Sequence, residues 1–524
     1  MHPNRRDSTS GAKVSIWTRS ADIPKYPVAP EGLFPDVCVI GSGIAGLSVA
    51  YSLAEQGASV AVIDDGAPGS GETGRTSAHL ASAVDDHFSV IERMHGAEAA
   101  RIVARSHSAA IDRIEAIAAA EGIACDFERV PGYLFAGPDE DAAFLDRELE
   151  AAARAGLAAR KAPRAPIPMF ETGPAIEFDR QAQFHPLRYL AGLAEAVERR
   201  GGLLYTGHAE EIRGGADARV VLRSGHVIRP KAIVAATNVP VNDRIAMHTK
   251  LMPQRTYVIA AHVPEGALPK ALIWDTGDPY HYVRVAAGAD NAAGQELLLV
   301  GGEDHPVGQA ADFDARYSRL EMWMRSRWPE AGVVHARWSG QIIETMDGLA
   351  YIGRNPGDEN VFIATGDSGN GLTHGTIAGI MLPELIRGRA HPWAETYDPA
   401  RKPLKAAAEY GRHNLKVAAR LAGDWIKGHG AKDEGDIPAG SGAVLREGLR
   451  HVAVFRDANG ETHRMSAVCP HMKCIVTWNA SESTWDCPCH GSRFDCRGHV
   501  LNGPSITDLE HLHAPERPAA PPAA

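Results

Sequence analysis

The first strongly patterned part of the chain runs from Asp36 to Asp65. Its first five residues end in four apolar side chains, a glycine-rich turn follows, and residues 47–55 have the apolar spacing of a helix. Residues 60–64 form a second, largely apolar run. Strand, turn, helix and strand in this order predict the opening unit of a doubly wound α/β domain with a parallel sheet.

After this unit the pattern becomes mixed. A helix-rich stretch from His87 to Glu121 carries isoleucines at three-residue spacing. Residues 127–361 then combine short apolar strands, such as 220–222 and 297–300, with helical segments. This mixture predicts an α+β substrate domain inserted into the first domain.

The C-terminal part of the chain has a different pattern. Residues 401–431 begin with a stretch rich in Ala and in charged side chains and end in a glycine-containing break. This pattern predicts a helical linker. Short strands separated by turns follow, and the Asn459-Gly460 step favours a hairpin. We therefore expect a small all-β domain at 432–513 and a disordered Pro/Ala tail at 514–524.

Composition narrows the functional classes. The 524 residues suffice for about two to four compact units. Lys and Arg number 54 against 65 Asp and Glu, and the net charge of −11 argues against nucleic acid or an anionic membrane as a partner. The first 35 residues contain no apolar signal-peptide core, and no apolar run of about 18 residues occurs. We expect a cytoplasmic protein with no membrane span and a small-molecule substrate.

The glycine-rich turn carries a dinucleotide-binding fingerprint. Residues 41–46 are Gly-Ser-Gly-Ile-Ala-Gly, whose glycines permit the tight turn, the approach of a pyrophosphate and close helix packing. The following helix N-terminus attracts phosphates, and an acid 18 residues after the last glycine can accept ribose hydroxyls. NAD and FAD share this fingerprint, so it leaves both open. The residues predicted to bind the dinucleotide here are Gly41, Gly43, Ile44, Ala45, Gly46 and Asp64.

Distant segments favour FAD. Residues 232–238 resemble the flavoprotein strand and turn that return to the adenosine side, and residues 361–375 form a strand, a glycine-rich turn and a predicted helix N-terminus. Residues 74–79 resemble the stretch beneath the flavin, although an ordinary surface loop is the alternative. Residues 36–395 are thus similar to the D-amino-acid-oxidase-like family of FAD-dependent oxidoreductases. The resemblance implies FAD contacts at Arg75, Thr76, Ser77, His79, Thr237, Asn238, Gly366, Asp367, Gly369, Gly371, Leu372 and Thr373.

The substrate contacts have a weaker pattern. Residues 279–284 and 301–305 combine aromatic, basic and acidic groups as a pocket requires, but satisfied strand residues would look the same. The family transfers hydride to flavin from a carbon that bears nitrogen, so the resemblance implies an amine or amino acid. The family's paired Tyr and Arg for a substrate carboxylate have no clear counterpart, which puts an amino acid in doubt. The candidates for catalysis are His281, Tyr282, Arg284 and His374.

Cysteine and histidine are concentrated near the C-terminus. Residues 469–471 are Cys-Pro-His and, after 15 further residues, residues 487–490 are Cys-Pro-Cys-His. Two Cys and two His suit tetrahedral zinc, but a Cys-x-His box is atypical of zinc fingers. The spacing resembles the Rieske family, in which two thiolates and two imidazoles hold a 2Fe-2S cluster. The resemblance implies the metal ligands Cys469, His471, Cys487 and His490. It also implies a disulfide between Cys474 and Cys489, with free thiols as the alternative in a cytoplasmic protein.

Residues after the second box bear on the reduction potential. Ser492 stands where the family's hydroxyl can hydrogen-bond a bridging sulfide, a bond that raises the potential. Phe494 stands where high-potential respiratory relatives carry Tyr, so one such bond is missing. We predict a potential below theirs but well above the roughly −400 mV of plant-type clusters. Cys496 has no assigned role beyond that of a small buried side chain.

The sequence thus predicts two redox centres: an FAD-dependent oxidoreductase domain at 36–400, after an N-terminal extension at 1–35, and a Rieske domain. We expect a dehydrogenase in which a small substrate reduces FAD and the cluster passes electrons to a soluble acceptor protein. The alternatives are reverse flow from a carrier to FAD and a non-catalytic redox-sensing or binding module. A Rieske oxygenase is not expected, because its catalytic domain follows the cluster and only 34 residues follow His490.

Overall fold

The structure is a computed structural model that describes residues 10–138, 140, 142–241, 247–287, 294–402, 405, 411, 414–415 and 433–512. Most of the predicted linker at 401–431 and the whole predicted tail at 514–524 lie outside the described residues.

The helices of the described residues are α1 (Ile16–Ser20), α2 (Ile44–Glu55), α3 (Phe88–His95), α4 (Ala97–Glu121), α5 (Ala142–Ala155), α6 (Pro186–Arg199), α7 (Phe313–Arg327), α8 (Gly371–Ile386) and α9 (Ala394–Tyr397). The strands up to residue 400 are β1 (Val37–Ile40), β2 (Val60–Asp64), β3 (His79–Leu80), β4 (Glu128–Phe135), β5 (Ala159–Ala162), β6 (Ala175–Gln183), β7 (Leu203–Thr206), β8 (Ala209–Arg213), β9 (Arg219–Leu222), β10 (Val227–Ile228), β11 (Ala232–Ala235), β12 (Leu251–Pro264), β13 (Leu272–Asp275), β14 (His281–Ala287), β15 (Gln295–Pro306), β16 (Val334–Thr345), β17 (Tyr351–Arg354) and β18 (Val361–Thr365). The strands that follow are β19 (Ser441–Glu447), β20 (Arg450–Arg456), β21 (Thr462–Ser466), β22 (Thr477–Asn479), β23 (Thr484–Asp486), β24 (Arg493–Asp495) and β25 (Val500–Asn502).

A mainly parallel sheet forms the centre of the first domain. Its order is β17-β18-β11-β1-β2-β7, and β17 runs antiparallel to β18. Val37 and Val39 of β1 pack in one core with α2 and α8, whereas Cys38 and Ile40 pack with the small antiparallel sheet β8-β9-β10. Burial on both faces explains the uninterrupted apolar runs of β1 and β2. The predicted α/β opening unit is present, with a small sheet covering its second face.

A larger sheet forms the second part of this domain. Its order is β16-β12-β15-β14-β13-β4-β6-β3, with β5 paired to β6. Tyr317, Leu320 and Met324 of α7 pack in a core with β12 and β15. The predicted insertion at 127–361 is interrupted, because β7 and β11 fall within that range but belong to the parallel sheet.

Residues 433–512 form the small all-β domain that the sequence predicts. Its two sheets are β19-β20-β21 and β22-β23-β24-β25. Trp485 and Phe494 are fully buried in its core together with several of the cysteines. The domain contacts the first one through Glu482, whose carboxylate lies 3.2 Å from Arg255 of β12.

Candidate active site and iron–sulfur site

A cavity of about 550 Å³ brings together most of the residues predicted to bind FAD. It extends from the glycine-rich turn at 41–45 to Tyr282 of β14 and is also lined by residues of the C-terminal domain. The predicted residues that line it are Gly41, Gly43, Ile44, Ala45, Asp64, Arg75, Thr76, Ser77, His79, Thr237, Asn238, Gly366, Asp367, Gly369, Gly371 and Leu372.

Two predicted residues lie outside this lining. Gly46 packs against the turn itself, where a Cβ would overlap the carbonyl oxygen of Gly41. Thr373 donates its hydroxyl to the carbonyl of Asn370 at 3.0 Å. Both residues therefore shape the glycine-rich turns, while their neighbours face the cavity.

One end of the cavity has the features of a dinucleotide site. α2 begins at Ile44 directly after Gly43, which has no side chain to cap the first turn, and of the N–H groups there that of Ile44 donates to the hydroxyl of Thr73 at 3.2 Å. Asp64 ends β2, and its carboxylate accepts hydrogen bonds from the backbone N–H (2.5 Å) and the hydroxyl (2.8 Å) of Ser42. Burial raises the pKa of Asp64 to about 6. Uncapped N–H groups suit a pyrophosphate, and a carboxylate beside them suits a ribose.

A second uncapped helix N-terminus faces the same cavity. α8 begins at Gly371, and Asn370 makes no side-chain capping bond to it. His374 lies in the first turn, lines the cavity, and holds Nδ1 at 3.0 Å from the carbonyl of Asp367. Burial lowers the pKa of His374 to about 4, so the ring is neutral at physiological pH. The positive end of this helix dipole fits the anionic part of a flavin.

Only some of the candidates for catalysis line the cavity. Tyr282 and His374 line the cavity, and the Tyr282 hydroxyl lies 2.9 Å from that of Thr256. His281, which is not among the described residues that line the cavity, has Nδ1 at 3.3 Å from the carboxylate of Asp275. Because His281 is next to Tyr282 on β14, its side chain lies on the opposite face of the strand. We therefore assign it a packing role.

Arg284 also lies away from the main cavity. It donates to the carbonyl of Ala78 at 2.6 Å and lines a separate cavity of about 90 Å³. Burial lowers the pKa of Arg284 to about 9. Among the described residues, a paired Tyr and Arg for a substrate carboxylate is therefore not found where Tyr282 meets the main cavity.

The cavity beyond the nucleotide end is acidic. Asp85, Glu344 and Asp367 line it, and Asp304 lies beside Tyr280 within electrostatic range of Asp85. Burial, together with Asp367 and Glu344, raises the pKa of Asp85 to about 7. Burial raises the pKa of Asp304 to about 7 as well. Asp367 was predicted as an FAD contact and Asp304 lies in the predicted substrate segment 301–305, but sequence reasoning missed Asp85 and Glu344, because the four acids lie on unconnected segments with no shared motif.

Arg75 is the only Arg or Lys among the described residues that line the cavity. Its guanidinium donates to the carbonyls of Gly11 (3.0 Å), Lys13 (2.7 Å) and Ser339 (2.6 Å), and pairs with Glu482 at 3.3 Å. These bonds tie the N-terminal segment and the C-terminal domain to the first domain. The guanidinium of Arg75 is thus occupied by contacts within the protein.

The predicted iron ligands lie together on two loops of the small domain. Cys469 and Cys487 are buried thiols outside the disulfide. The imidazole rings of His471 and His490 lie 5.1 Å apart, centroid to centroid. Two thiols and two imidazoles from facing loops match the donor set of a Rieske cluster, with thiolates for one iron and imidazoles for the other.

Further residues surround this donor set. A disulfide joins Cys474 to Cys489 and ties the two loops together. Ser492 is fully buried, and its hydroxyl oxygen accepts from the backbone N–H of Ser505 at 3.0 Å, which leaves the hydroxyl proton for donation. Phe494 is fully buried and offers no such proton.

The ligand loops contact the FAD-binding domain directly. Gln341 lines the cavity and donates Nε2 to the carbonyl of Gly491, next to His490, at 3.1 Å. The ring of His248, which is 2% exposed, lies 4.9 Å from that of His471. One side chain therefore separates the cavity from a ligand loop. No sequence pattern predicted this contact, because it joins residues 150 positions apart.

The fold and the two sites together define an FAD-dependent oxidoreductase joined to a Rieske domain. The family model described as FAD dependent oxidoreductase matches residues 36–385, and the Rieske [2Fe-2S] domain model matches residues 431–513. The chain therefore belongs to the FAD-dependent oxidoreductase family and carries a C-terminal Rieske domain.

Known proteins resemble the chain at two levels. It is 30% identical over 508 residues to YhfW of Bacillus subtilis (strain 168), which is named as a Rieske 2Fe-2S iron-sulfur protein, with 96% of this chain and 98% of the relative covered. It is 30% identical over 378 residues to gamma-glutamylputrescine oxidoreductase of Escherichia coli (strain K12), covering 69% and 85%. The structure of glycine oxidase from Geobacillus kaustophilus superposes with a TM-score of 0.59 at 18% identity, covering 71% and 100%, and shows the fold alone.

These matches confirm the predicted cofactors and the enzyme class. FAD belongs to the first domain and a 2Fe-2S cluster to the second, so the zinc alternative is set aside. The chain is an oxidoreductase enzyme, which rules against the purely non-catalytic module. In the part of the chain that the structure describes, every helix is too short or too polar to cross a bilayer.

Proposed function

We propose that the protein is an FAD-dependent amine dehydrogenase that passes electrons from a small cationic amine through its Rieske cluster to a soluble acceptor protein. FAD, when bound, takes two electrons from a substrate carbon bearing nitrogen, and a 2Fe-2S cluster passes electrons on singly. The protein's own residues position the substrate, set its charge environment and connect the two cofactor sites.

The contact between Gln341 and Gly491 carries this proposal. It links a side chain that lines the flavin cavity to the loop that bears the proposed ligand His490. The contact gives electrons a direct path from the flavin cavity to the cluster within one chain. On the other ligand loop, Met472 and Lys473 next to His471 are exposed, and they offer a route to an external acceptor.

The acidic end of the cavity supports a cationic substrate. Asp85, Glu344 and Asp367 present carboxylates, and the lining lacks a free Arg or Lys among its described residues to hold a substrate carboxylate. The E. coli relative is named for an amine, gamma-glutamylputrescine. An ammonium group is stabilised beside carboxylates in a partly buried site, whereas the carboxylate of an amino acid is repelled there. We therefore favour a di- or polyamine over a simple amino acid.

Anaerobic rapid mixing tests the activity and the direction of flow. The holoenzyme is mixed with putrescine or with glycine, the flavin absorbance is followed, and the reduced cluster is detected by electron paramagnetic resonance. We expect putrescine to bleach the flavin first and the cluster signal to follow, with glycine at least about tenfold slower. Flavin that stays oxidised with every amine, but is reduced through the cluster by a reduced ferredoxin, would establish reverse flow instead.

A substitution tests the role of the acids. Asp85→Asn keeps the shape of the side chain but removes its charge, and we expect the KM for putrescine to rise about tenfold, equivalent to about 1.4 kcal/mol. Asp314→Asn, in the exposed first turn of α7, is the matched control. An unchanged KM in Asp85→Asn would contradict the assignment of a cationic substrate to this end of the cavity.

A further inference from the structure

The Rieske domain contributes part of the wall of the flavin cavity. The cavity that contains the glycine-rich turn and Asp64 is also lined by β25 and the loop after it. The residues concerned are Val500, Leu501, Asn502, Gly503, Ser505 and Ile506. Residues more than 430 positions apart in sequence therefore enclose one space.

Polar contacts hold this loop at the nucleotide end. Arg223, which directly follows β9, places Nη1 at 3.3 Å from the carboxylate of Asp508 and donates Nη2 to the carbonyl of Ile506 at 3.3 Å. His208 lines the cavity and lies between two oxygens, with Nε2 at 3.1 Å from the same carbonyl and Nδ1 at 3.1 Å from the carboxylate of Asp65. The loop thus lies over the acids that end β2.

Buried contacts fix the domain on either side of the loop. Asn502 donates Nδ2 to the carboxylate of Glu72 at 3.2 Å, and that carboxylate also accepts the backbone N–H of Gln341 at 2.6 Å. Glu482 accepts the hydroxyl of Ser339 at 2.5 Å and lies 3.2 Å from Arg255. A carboxylate buried among donors from the other domain holds the interface in one arrangement.

We propose that the Rieske domain forms part of the FAD-binding site, so that the docked domain retains the flavin and the flavin in turn holds the domain in place. A ligand that contacts both domains stabilises the docked state, and this coupling is reciprocal. The residues that would line the adenosine side from the Rieske domain are Asn502, Ser505 and Ile506. The proposal requires only that FAD binds in the cavity, and it is independent of the substrate and of the direction of electron flow.

The rate of FAD release tests whether the docked Rieske domain retains the flavin. Arg223→Ala removes the link from the β8-β9-β10 sheet to the loop, and Asp508→Asn removes one charge while keeping the shape of the side chain. In the full-length holoenzyme, diluted and followed by the rise of free flavin fluorescence, we expect release about fivefold faster for Arg223→Ala and less for Asp508→Asn.

A neighbouring arginine provides the matched control. Arg219 begins the same strand and pairs with Glu211 and Asp217, both within the first domain. Arg219→Ala should release FAD at the wild-type rate. Circular dichroism and the cluster signal verify that each variant is folded. If Arg223→Ala does not fold, Asp508→Asn remains as the test variant. A folded variant of either kind that releases FAD no faster than Arg219→Ala overturns the proposal.

Hydrogen exchange tests whether the flavin in turn holds the Rieske domain in place. Full-length protein with its cluster intact is compared with and without FAD, and exchange is measured in peptides that cover residues 500–508. We expect FAD to slow exchange in this segment at least severalfold, and to leave the distant hairpin of β19 and β20 unchanged. Equal exchange at 500–508 in the two states would overturn the proposal, even if the enzyme still oxidised its substrate.

Discussion

The iron–sulfur site and the flavin cavity are built in opposite ways. The proposed cluster ligands come from two short loops, 469–471 and 487–490, of one small domain. The cavity collects residues from Ile40 to Ile506 and includes both domains. A donor set on short loops leaves its spacing in the sequence, whereas the chemistry of a cavity depends on side chains that only the fold brings together.

The two regions also treat buried charge differently. At the interface beside the cluster, Glu482 is surrounded by the arginines Arg75 and Arg255, so negative and positive groups compensate. At the far end of the cavity, Asp85 lies near Glu344 and Asp367, and burial together with neighbouring acids raises the pKa of Asp85 to about 7 and that of Asp367 to about 6. Acid paired with arginine fixes the docking of the domains, while a cluster of acids with raised pKa values provides a place where a cationic ligand would be stabilised.

The largest expected effect comes from removing the compensated charge. Burial alone would raise the pKa of Glu482, but Arg75, Arg255 and Arg493 outweigh it and lower the pKa to about 2. Glu482→Gln removes the ion-pair partner of Arg75 and Arg255, while Arg493 keeps its pair with Asp486, and we expect a loss of about 3–5 kcal/mol in the free energy of unfolding. Urea unfolding followed by cluster absorbance measures it, with the exposed Glu510→Gln as control.

Acidification should reproduce this loss in the wild type. Because the pKa of Glu482 is lowered in the folded protein, its stabilisation is fully present above its usual pKa of about 4.3 and is lost as pH falls toward 2. The difference between wild type and Glu482→Gln should therefore be constant above about pH 5 and shrink below it. A difference under about 1 kcal/mol at neutral pH would show that the ion network does not hold the domains together.

A glycine at the interface gives the next largest effect. Gly491 has φ of +77°, and a Cβ there would lie 2.5 Å from Cβ of Pro253 and 2.6 Å from Nε2 of Gln341. We expect Gly491→Ala to displace the ligand loop from the cavity, to cost about 2–3 kcal/mol and to slow electron transfer from flavin to cluster about tenfold or more. Gly448→Ala is the control. Gly448 has φ of +63° with nothing near its Cβ position, so this variant introduces the backbone strain without a steric clash. Equal transfer rates in the two variants would argue that the Gln341 contact is not on the electron path.

The acids of the cavity give a smaller, pH-dependent effect. Burial and the neighbouring acids raise the pKa of Asp85 to about 7, so its carboxyl is neutral below that pH and charged above it. A cationic substrate binds the charged form better, and the KM for putrescine should fall about tenfold between pH 6 and pH 8. Asp85→Asn should flatten the profile. A profile that keeps its full slope in Asp85→Asn would move the titration to another group, with Asp304 the next candidate.

The same contrast explains what the sequence could predict. The glycine-rich turn and the two cluster loops could be predicted from the sequence, because each is formed by residues only a few positions apart. Tyr282 and Arg284 were both candidates because their segment combines aromatic and basic groups, yet two residues of strand carry Arg284 about 7 Å further, to the carbonyl of Ala78 and out of the main cavity. Asp85 and Glu344 could not be predicted, since their proximity depends on how the two sheets pack.

The smallest expected effect lies within the cluster site. Phe494 is fully buried beside the ligand loops, and Phe494→Tyr would add a hydroxyl that can donate to a cluster sulfur. A hydrogen bond that is about 1 kcal/mol stronger in the reduced state would raise the reduction potential by roughly 40 mV.

A redox titration of the cluster measures this shift. Phe455→Tyr adds the same group elsewhere in the core of the Rieske domain and should leave the potential unchanged. Because a buried hydroxyl without a partner destabilises a core, a Phe494→Tyr protein that loses stability without gaining potential would show that the new hydroxyl does not reach the cluster. The potential of this centre would then be set by Ser492 and by the docked FAD-binding domain, which packs the ring of His248 against that of His471.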